Sequence, residues 1–289
     1  MQPKTCLITG SASGMGRLTA MAAADAGMHV IGVDFDVPNG IAARDEIVAT
    51  TGNRQFDFIE CDISSITQVS ALAARINRDY ERIDILVNNA GLTESIRRES
   101  TDGLEMTMAT NFLGPFLLTN LLLDKIRAST PARIINIASE AHKMAQGLDW
   151  EDINNHKKWH KVNHGCGFQA YARSKLCLVA FSYDLADMLD GTGVTVYAVS
   201  PGYFIKTNII RHMRGIWKLS VKLAWPFMQT VQNGAKTHIY LTTDPNVDGE
   251  TGKYWEHCKP KESSKFTHDA ELRRRIWEYA VEVTALANN

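Results

Sequence analysis

Tyr171 and Lys175, four residues apart in Tyr171-Ala172-Arg173-Ser174-Lys175, form the pair with the plainest chemical use in this chain. The surrounding stretch has helical composition, and i,i+4 spacing puts both side chains on one helix face. An ammonium beside a phenol favours the phenolate, drawing a pKa of about 10 toward the range of a working general base. The alternative is an accidental pair on a solvated face. Of the eight tyrosines only Tyr171 has a lysine four residues on, so composition alone does not explain the pair. Ser139 closes the apolar run RIINIAS, where its hydroxyl would reach the same crevice. Asn111 lies in the uncharged stretch Met106 to Leu123, where an amide without a partner would be costly. A core asparagine bonded to backbone is the simpler reading of Asn111 taken alone.

A second group of residues has the makings of a dinucleotide site. An apolar run ends in Thr9-Gly10-Ser11-Ala12-Ser13-Gly14-Met15-Gly16 and an alanine-rich helical stretch follows. Glycines there permit a tight turn and let backbone approach a pyrophosphate, whose charge sits on the helix N-terminus. The spacing is TGxxxGxG; a plain β–α turn is the competing reading, and the flanking strand and helix favour the site. Asp34, followed by Phe35, ends the next apolar run, where a carboxylate can accept both adenosine ribose hydroxyls and repel a 2′-phosphate. No Lys or Arg occupies positions 33 to 37, and Arg17 is the one basic residue nearby that could hold such a phosphate. NAD is therefore expected over NADP. Asp62 and Ile63 after the third run, and Asn88-Asn89-Ala90-Gly91 after the fourth, are candidates for lining the adenine side.

These residues need a scaffold that brings strand ends together. Expected strands are Thr5–Thr9, His29–Val33, Phe56–Cys61, Ile83–Val87, Arg133–Ile137 and Val194–Val199, separated by helical segments such as Gly14–Ala26 and Ile66–Tyr80. Apolar strands alternating with helices imply an α/β fold, a single doubly wound parallel sheet of Rossmann type with helices on both faces. No linker or internal repeat divides the 289 residues, so residues 1–289 are expected to form one domain. Segments 140–168 and 206–230 break the alternation, and both follow strands whose C-terminal ends face the ligand crevice. They are expected as a substrate loop and a lid.

Composition narrows the function. With 31 basic and 32 acidic residues the net charge is −1, against a general nucleic-acid binder. From Gly191 to Thr243 there is no Asp or Glu but six basic residues, a local patch that could touch a membrane surface or draw in an anionic group. Five scattered cysteines without a CxxC fit reduced thiols and a cytoplasmic location. The N-terminus shows no signal peptide, and Met106 to Leu123 reads as a buried helix, so no transmembrane anchor is expected. His142, His156, His160 and His164 with Cys166 lack zinc-like spacing, so no metal is expected and a solvated or substrate-lining loop is the preferred reading.

TGxxxGxG, NNAG, the helical asparagine, the strand-end serine, YxxxK and Ser200-Pro201-Gly202 stand in the order of the short-chain dehydrogenase/reductase superfamily, which the chain resembles over residues 4–285. IASEAH at 137–142, LDWEDIN at 148–154 and GKYWEHCKPKESS at 252–264 are similar to its retinol dehydrogenase-like group. The resemblance implies Tyr171 as general acid/base, Lys175 also bonding the nicotinamide ribose, Ser139 orienting the substrate oxygen and Asn111 holding a water of the proton relay. It also implies cofactor contacts from Gly10, Ser13, Gly14, Met15, Gly16, Asp34, Phe35, Asp62, Ile63, Asn89, Ala90, Gly91, Pro201, Gly202 and Thr207. Thr207 departs from the pattern, because Lys206 stands where the family usually has the threonine. A homo-oligomer is implied as well, paired through the apolar helices at 106–123 and 174–189. The expected activity is NAD-dependent oxidation of a small hydrophobic alcohol, or reduction of the ketone. An NADPH-dependent carbonyl reductase and a non-catalytic dinucleotide-binding sensor are the alternatives.

Overall fold

A computed structural model describes residues 3–145, 147–157, 159, 167–202, 229–247 and 249–286. Eight strands form one sheet in the order β3-β2-β1-β4-β5-β6-β7-β8: β1 (Thr5–Thr9), β2 (His29–Asp34), β3 (Phe56–Glu60), β4 (Ile85–Asn88), β5 (Ala132–Ile137), β6 (Val194–Val199), β7 (Lys253–Glu256) and β8 (Lys259–Lys261). All neighbours are parallel except the last pair, β7 and β8. Successive side chains of a strand point to opposite faces, and the core divides accordingly. Leu7, Ile31, Leu86, Ile134 and Val196 serve one layer; Cys6, Ile8, Val30, Ile135 and Tyr197 serve the other.

The second layer is covered by α1 (Gly14–Asp25) and α2 (Val37–Thr51), together with a later helix, Val231–Thr243. Ala20, Ala23 and Ala24 bring α1 close to the strands because they carry no bulk. Asp36 caps α2 by accepting from Asn39 N at 3.3 Å. The first layer is covered by α3 (Ile66–Asp79), by a helical run from 106 to 128, and by a long helix, Phe168–Met188. The 106–128 run consists of α4 (Met106–Met108), a π-helical turn (Ala109–Leu113) and α5 (Gly114–Ala128). It passes a length-and-hydropathy test for crossing a membrane, yet 83% of its most apolar window is buried inside the protein. In chain order the remaining helices are α6 (Phe168–Met188), α7 (Val231–Thr243) and α8 (Ala270–Thr284).

The β7–β8 hairpin was not anticipated: its turn residues His257 and Cys258 both have positive φ, 52° and 58°, where Asn-Gly is the usual signal. The helices expected to pair with a second copy also pack against the chain's own α8. Trp277 of α8 packs on Phe116 and Phe181, with ring centroids 5.1 and 5.8 Å away. In the described part of 140–168, Trp150 packs edge-on to Tyr279 of α8 at 6.3 Å, and Arg275 lies 4.5 Å over its ring. The lid at 206–230 falls, except for its last two residues, outside the described residues, as do Thr207, His160, His164 and Cys166.

Candidate active site

The C-terminal ends of β1, β2, β4 and β5 open onto a cavity of about 360 Å³. At one end stand Gly10, Ser13, Gly14 and Met15, with Asp34 and Phe35 beyond them and Asp62 and Ile63 alongside. At the other stand Tyr171, Lys175 and Pro201, with Asn89, Ala90 and Gly91 between. Gly14 has φ +59° and nothing within 4 Å of an added Cβ, so its backbone lies bare to the cavity at the start of α1. That is the cradle a pyrophosphate needs. Gly16 is outside the cavity, and its reason is packing: an added Cβ would lie 2.1 Å from Gly10 O.

Asp34 holds the turn as well as facing the cavity. Its Oδ2 accepts from Ala12 N at 3.0 Å and its Oδ1 from Asp36 N at 3.1 Å. Burial pushes its carboxyl upward, and these two amides pull it back. Arg17 is spoken for: its guanidinium donates to Glu46 Oε2 at 2.6 Å. Thr9 escaped sequence reasoning; its hydroxyl accepts from both Asn89 N and Ala90 N at 3.0 Å, and Asn89 Nδ2 donates to Thr9 O at 2.9 Å. These bonds clamp the NNAG turn to the glycine loop across the β1–β4 seam.

On the chemical side, Tyr171 and Lys175 share the cavity face of α6, one turn apart. Lys175 Nζ donates to Ile137 O at 2.7 Å and lies 5.9 Å from the centre of the Tyr171 ring. Burial pushes this lysine down to about 7. Burial also pushes the Tyr171 phenol above its ordinary range, and the Ser139 hydroxyl, hydrogen-bonded to it, pulls the other way. The expected lowering of the phenol by the ammonium is thus not what governs this geometry: desolvation dominates, and Ser139 is the group that favours the phenolate.

Ser139, half-buried after β5, bonds the Tyr171 phenol and caps the short turn Glu140–Met144, accepting from Ala141 N at 3.2 Å. His142, expected in a solvated or substrate-lining loop, is instead fully buried beneath it. Its Nε2 accepts from Ser264 N at 3.0 Å, so the proton sits on Nδ1 and is donated to Ser139 O at 2.7 Å. Asn111 is also fully buried and outside the cavity. Its Oδ1 accepts from Leu92 N at 2.9 Å; its Nδ2 donates to Leu92 O at 2.9 Å and to Ser174 Oγ at 3.0 Å. Both amide N–H groups are taken, while Oδ1 keeps a second acceptor position. The amide ties the segment after NNAG to α6. Gly202 has φ +96° and follows Pro201 without entering the cavity. Sequence reasoning missed Ala12, Asp36, Cys61, Leu92, Glu94, Arg98, Met106 and Thr110, which complete the wall with Ile137 and Ala138. No group of three or more His, Cys, Asp or Glu side chains suited to a metal occurs among the described residues.

Comparison with known proteins agrees with this arrangement. The short chain dehydrogenase family model matches residues 4–148, half of the chain. Human retinol dehydrogenase 13 is 35% identical over 288 residues, covering 98% of this chain and 85% of its own. The structure of an uncharacterised protein from Mycobacterium paratuberculosis matches with TM-score 0.76 and 26% identity, over 98% of this chain and 93% of that one. An actinorhodin polyketide ketoreductase solved with NADPH matches with TM-score 0.68 and 26% identity, over 89% and 96% of the two chains. With the glycine loop, the strand-end serine and the tyrosine–lysine helix in these places, the chain belongs to the short-chain dehydrogenase/reductase family and is similar to the retinol dehydrogenases within it.

Proposed function

We propose that this protein is an NAD-dependent oxidoreductase that moves a hydride between a hydrophobic secondary or allylic alcohol, of retinoid, steroid or terpenoid type, and the nicotinamide. One observation carries the reading: a continuous cavity joins the bare Gly14 backbone and Asp34 to Tyr171 and Lys175. The retinol dehydrogenase named above supports an apolar alcohol, as do Leu92, Met106, Ile137 and Ala138 in the wall.

Bound there, the nicotinamide supplies the hydride acceptor. Gly10, Ser13, Gly14 and Met15 receive the pyrophosphate, and Asp34 accepts the adenosine ribose hydroxyls with the lone pairs that Ala12 and Asp36 leave free. Phe35, Asp62, Ile63, Asn89, Ala90 and Gly91 line the adenine side; Pro201 and Gly202 carry the nicotinamide half. Thr207 belongs to the same proposal and lies outside the described residues. Tyr171 removes the hydroxyl proton of the substrate, and Ser139 orients the substrate oxygen beside it. Lys175, anchored on Ile137 O, bonds the nicotinamide ribose. Asn111 holds Leu92 and the Ser174 turn of α6 in register and, in this reading, a water of the proton relay.

NAD is preferred over NADP in this reading because the Asp34 carboxylate meets the 2′ position and Arg17 is held by Glu46. The NADPH-bound ketoreductase keeps an NADPH-dependent carbonyl reductase as the second reading. A non-catalytic sensor needs neither Tyr171 nor Lys175 in the cavity. The free Cys6, Cys61, Cys177 and Cys258 agree with a cytoplasmic setting for the proposed enzyme. The test is NADH absorbance with a panel of hydrophobic alcohols. Tyr171→Phe is expected to lower kcat by about 10²–10⁴-fold while NADH still binds; full turnover by that variant would remove Tyr171 from its role.

A further inference from the structure

We propose that Glu94 and Arg98 form a polar subsite at the Tyr171 end of the cavity, one that takes a second hydroxyl of the substrate, remote from the carbon that reacts. The proposal rests on the alcohol dehydrogenase reading and gives its substrate a second feature.

Position comes first. Leu92 is fixed by Asn111 through both its N–H and its C=O. Two residues on, the Glu94 carbonyl packs against Gly167, the N-cap of α6; a Cβ at Gly167 would fall 1.6 Å from that oxygen, and φ there is +68°. Gly167 O in turn receives Tyr171 N at 3.0 Å. Glu94 therefore sits one helical turn from the proposed general base, and it lines the same cavity.

Burial and bonding come next. Glu94 is only 3% exposed, and its single side-chain partner among the described residues is Arg98, which donates from Nη1 to Oε1 at 3.0 Å. A carboxylate has about four acceptor positions and a guanidinium five N–H donors. Among the described residues, one bond between them leaves most of that capacity open to the cavity. Leu92 and Met106, which share this wall, are apolar, and Thr110 beside them gives its hydroxyl proton to Met106 O. Arg98 also lines the cavity, with its side chain 57% exposed, so the pair spans from the dry wall to the mouth.

Charge selects the ligand. The pair is neutral overall: an anionic substrate group would meet Glu94, and a cationic one would meet Arg98. A hydroxyl suits both, donating its O–H to the carboxylate while its oxygen accepts from the guanidinium. A site built to hydrogen-bond a substrate hydroxyl discriminates strongly against the analogue lacking it, because its own polar groups are then left unpaired.

The experiment compares allylic alcohols with a second hydroxyl at the far end of the chain, from hexenediol to dodecenediol, with the allylic mono-alcohols of the same chain length. Both kcat/KM and calorimetric binding to the NADH-loaded protein are measured. At the best-fitting length the diol is expected to exceed the alcohol by about tenfold or more. Glu94→Leu is expected to bring that ratio to about one, and Glu94→Gln, which keeps the shape and an acceptor oxygen, to retain part of it. Thermal unfolding of each variant checks that the fold is intact. A ratio near one in the wild-type protein, or one unchanged by Glu94→Leu, overturns the subsite. If neither series is turned over but calorimetry still separates diol from alcohol, the subsite stands and the dehydrogenase reading falls; without that separation both fall.

Discussion

Replacing Lys175 with methionine is expected to stabilise the folded protein near neutral pH while it abolishes turnover. The lysine is 3% exposed, no carboxylate offsets its burial, and its pKa falls from 10.5 to about 7. A shift of that size means that holding the ammonium in the folded chain costs about 4–5 kcal/mol. Methionine keeps the length and removes the charge, but forfeits the bond to Ile137 O, at about 1–3 kcal/mol for a buried carbonyl short of a donor. The difference leaves the variant more stable by about 2 kcal/mol at pH 7 and below, or about 5 °C in Tm. The sign follows from proton uptake. Between pH about 7 and 10.5 the unfolded chain keeps the Lys175 proton that the folded chain has lost, so wild-type stability climbs with pH across that window. The cost is fully present below it. The methionine variant lacks this climb, so its advantage shrinks as pH rises and then reverses, leaving only the lost hydrogen bond. Thermal unfolding of both proteins in matched buffers from pH about 6 to 9 reads the crossing directly. A variant less stable than wild type by a constant amount at every pH would refute the reasoning, because it would mean that the ammonium carries no desolvation cost.

Two further substitutions probe the cofactor end. Gly16→Ala places a methyl 2.1 Å from Gly10 O and 2.4 Å from Asn89 Nδ2; it is expected to lower stability by about 3 kcal/mol and weaken NADH binding, measured by thermal unfolding and fluorescence titration. Glu46→Gln releases Arg17 from its 2.6 Å ion pair, and kcat/KM with NADP is expected to rise about fivefold relative to NAD; an unchanged ratio would show that Arg17 cannot reach the 2′ position.

The parts legible in the sequence are those whose physics is local. β1, β5 and β6 are buried on both faces and read as mostly apolar runs, and the glycine loop follows β1 directly. Tyr171 and Lys175 declare themselves because one helix carries both. The ion pair of Arg17 with Glu46 spans 29 residues, and no local rule connects them. Glu94 and Arg98 sit in a stretch without a helical or strand period, so only the fold shows that they face the cavity. The β7–β8 turn uses His257 and Cys258 where glycine would have advertised it. Trp277 of α8 packs on α5 and α6, a contact their apolar faces did not identify: an apolar face states that something covers it, not what.

The residues that hold the chemistry in place explain why the rest was hidden. Lys175 is anchored by the carbonyl of Ile137, Asn89 by the carbonyls of Thr9 and Gly10, and Asn111 by both backbone groups of Leu92. Every residue carries those backbone groups, so the identity of the anchor leaves no mark at its own position. What marks it is the strand end: β1 and β5 finish on carbonyls, Thr9 O and Ile137 O, that take donors from beyond the sheet. Those donors are side chains of α6 and of the NNAG turn. The strand ends therefore fix the catalytic helix and the glycine loop relative to one another, and the π-helical turn that carries Asn111 adds the third tie. A sequence motif names the donors; the sheet topology supplies the acceptors, and the site exists only where the two coincide.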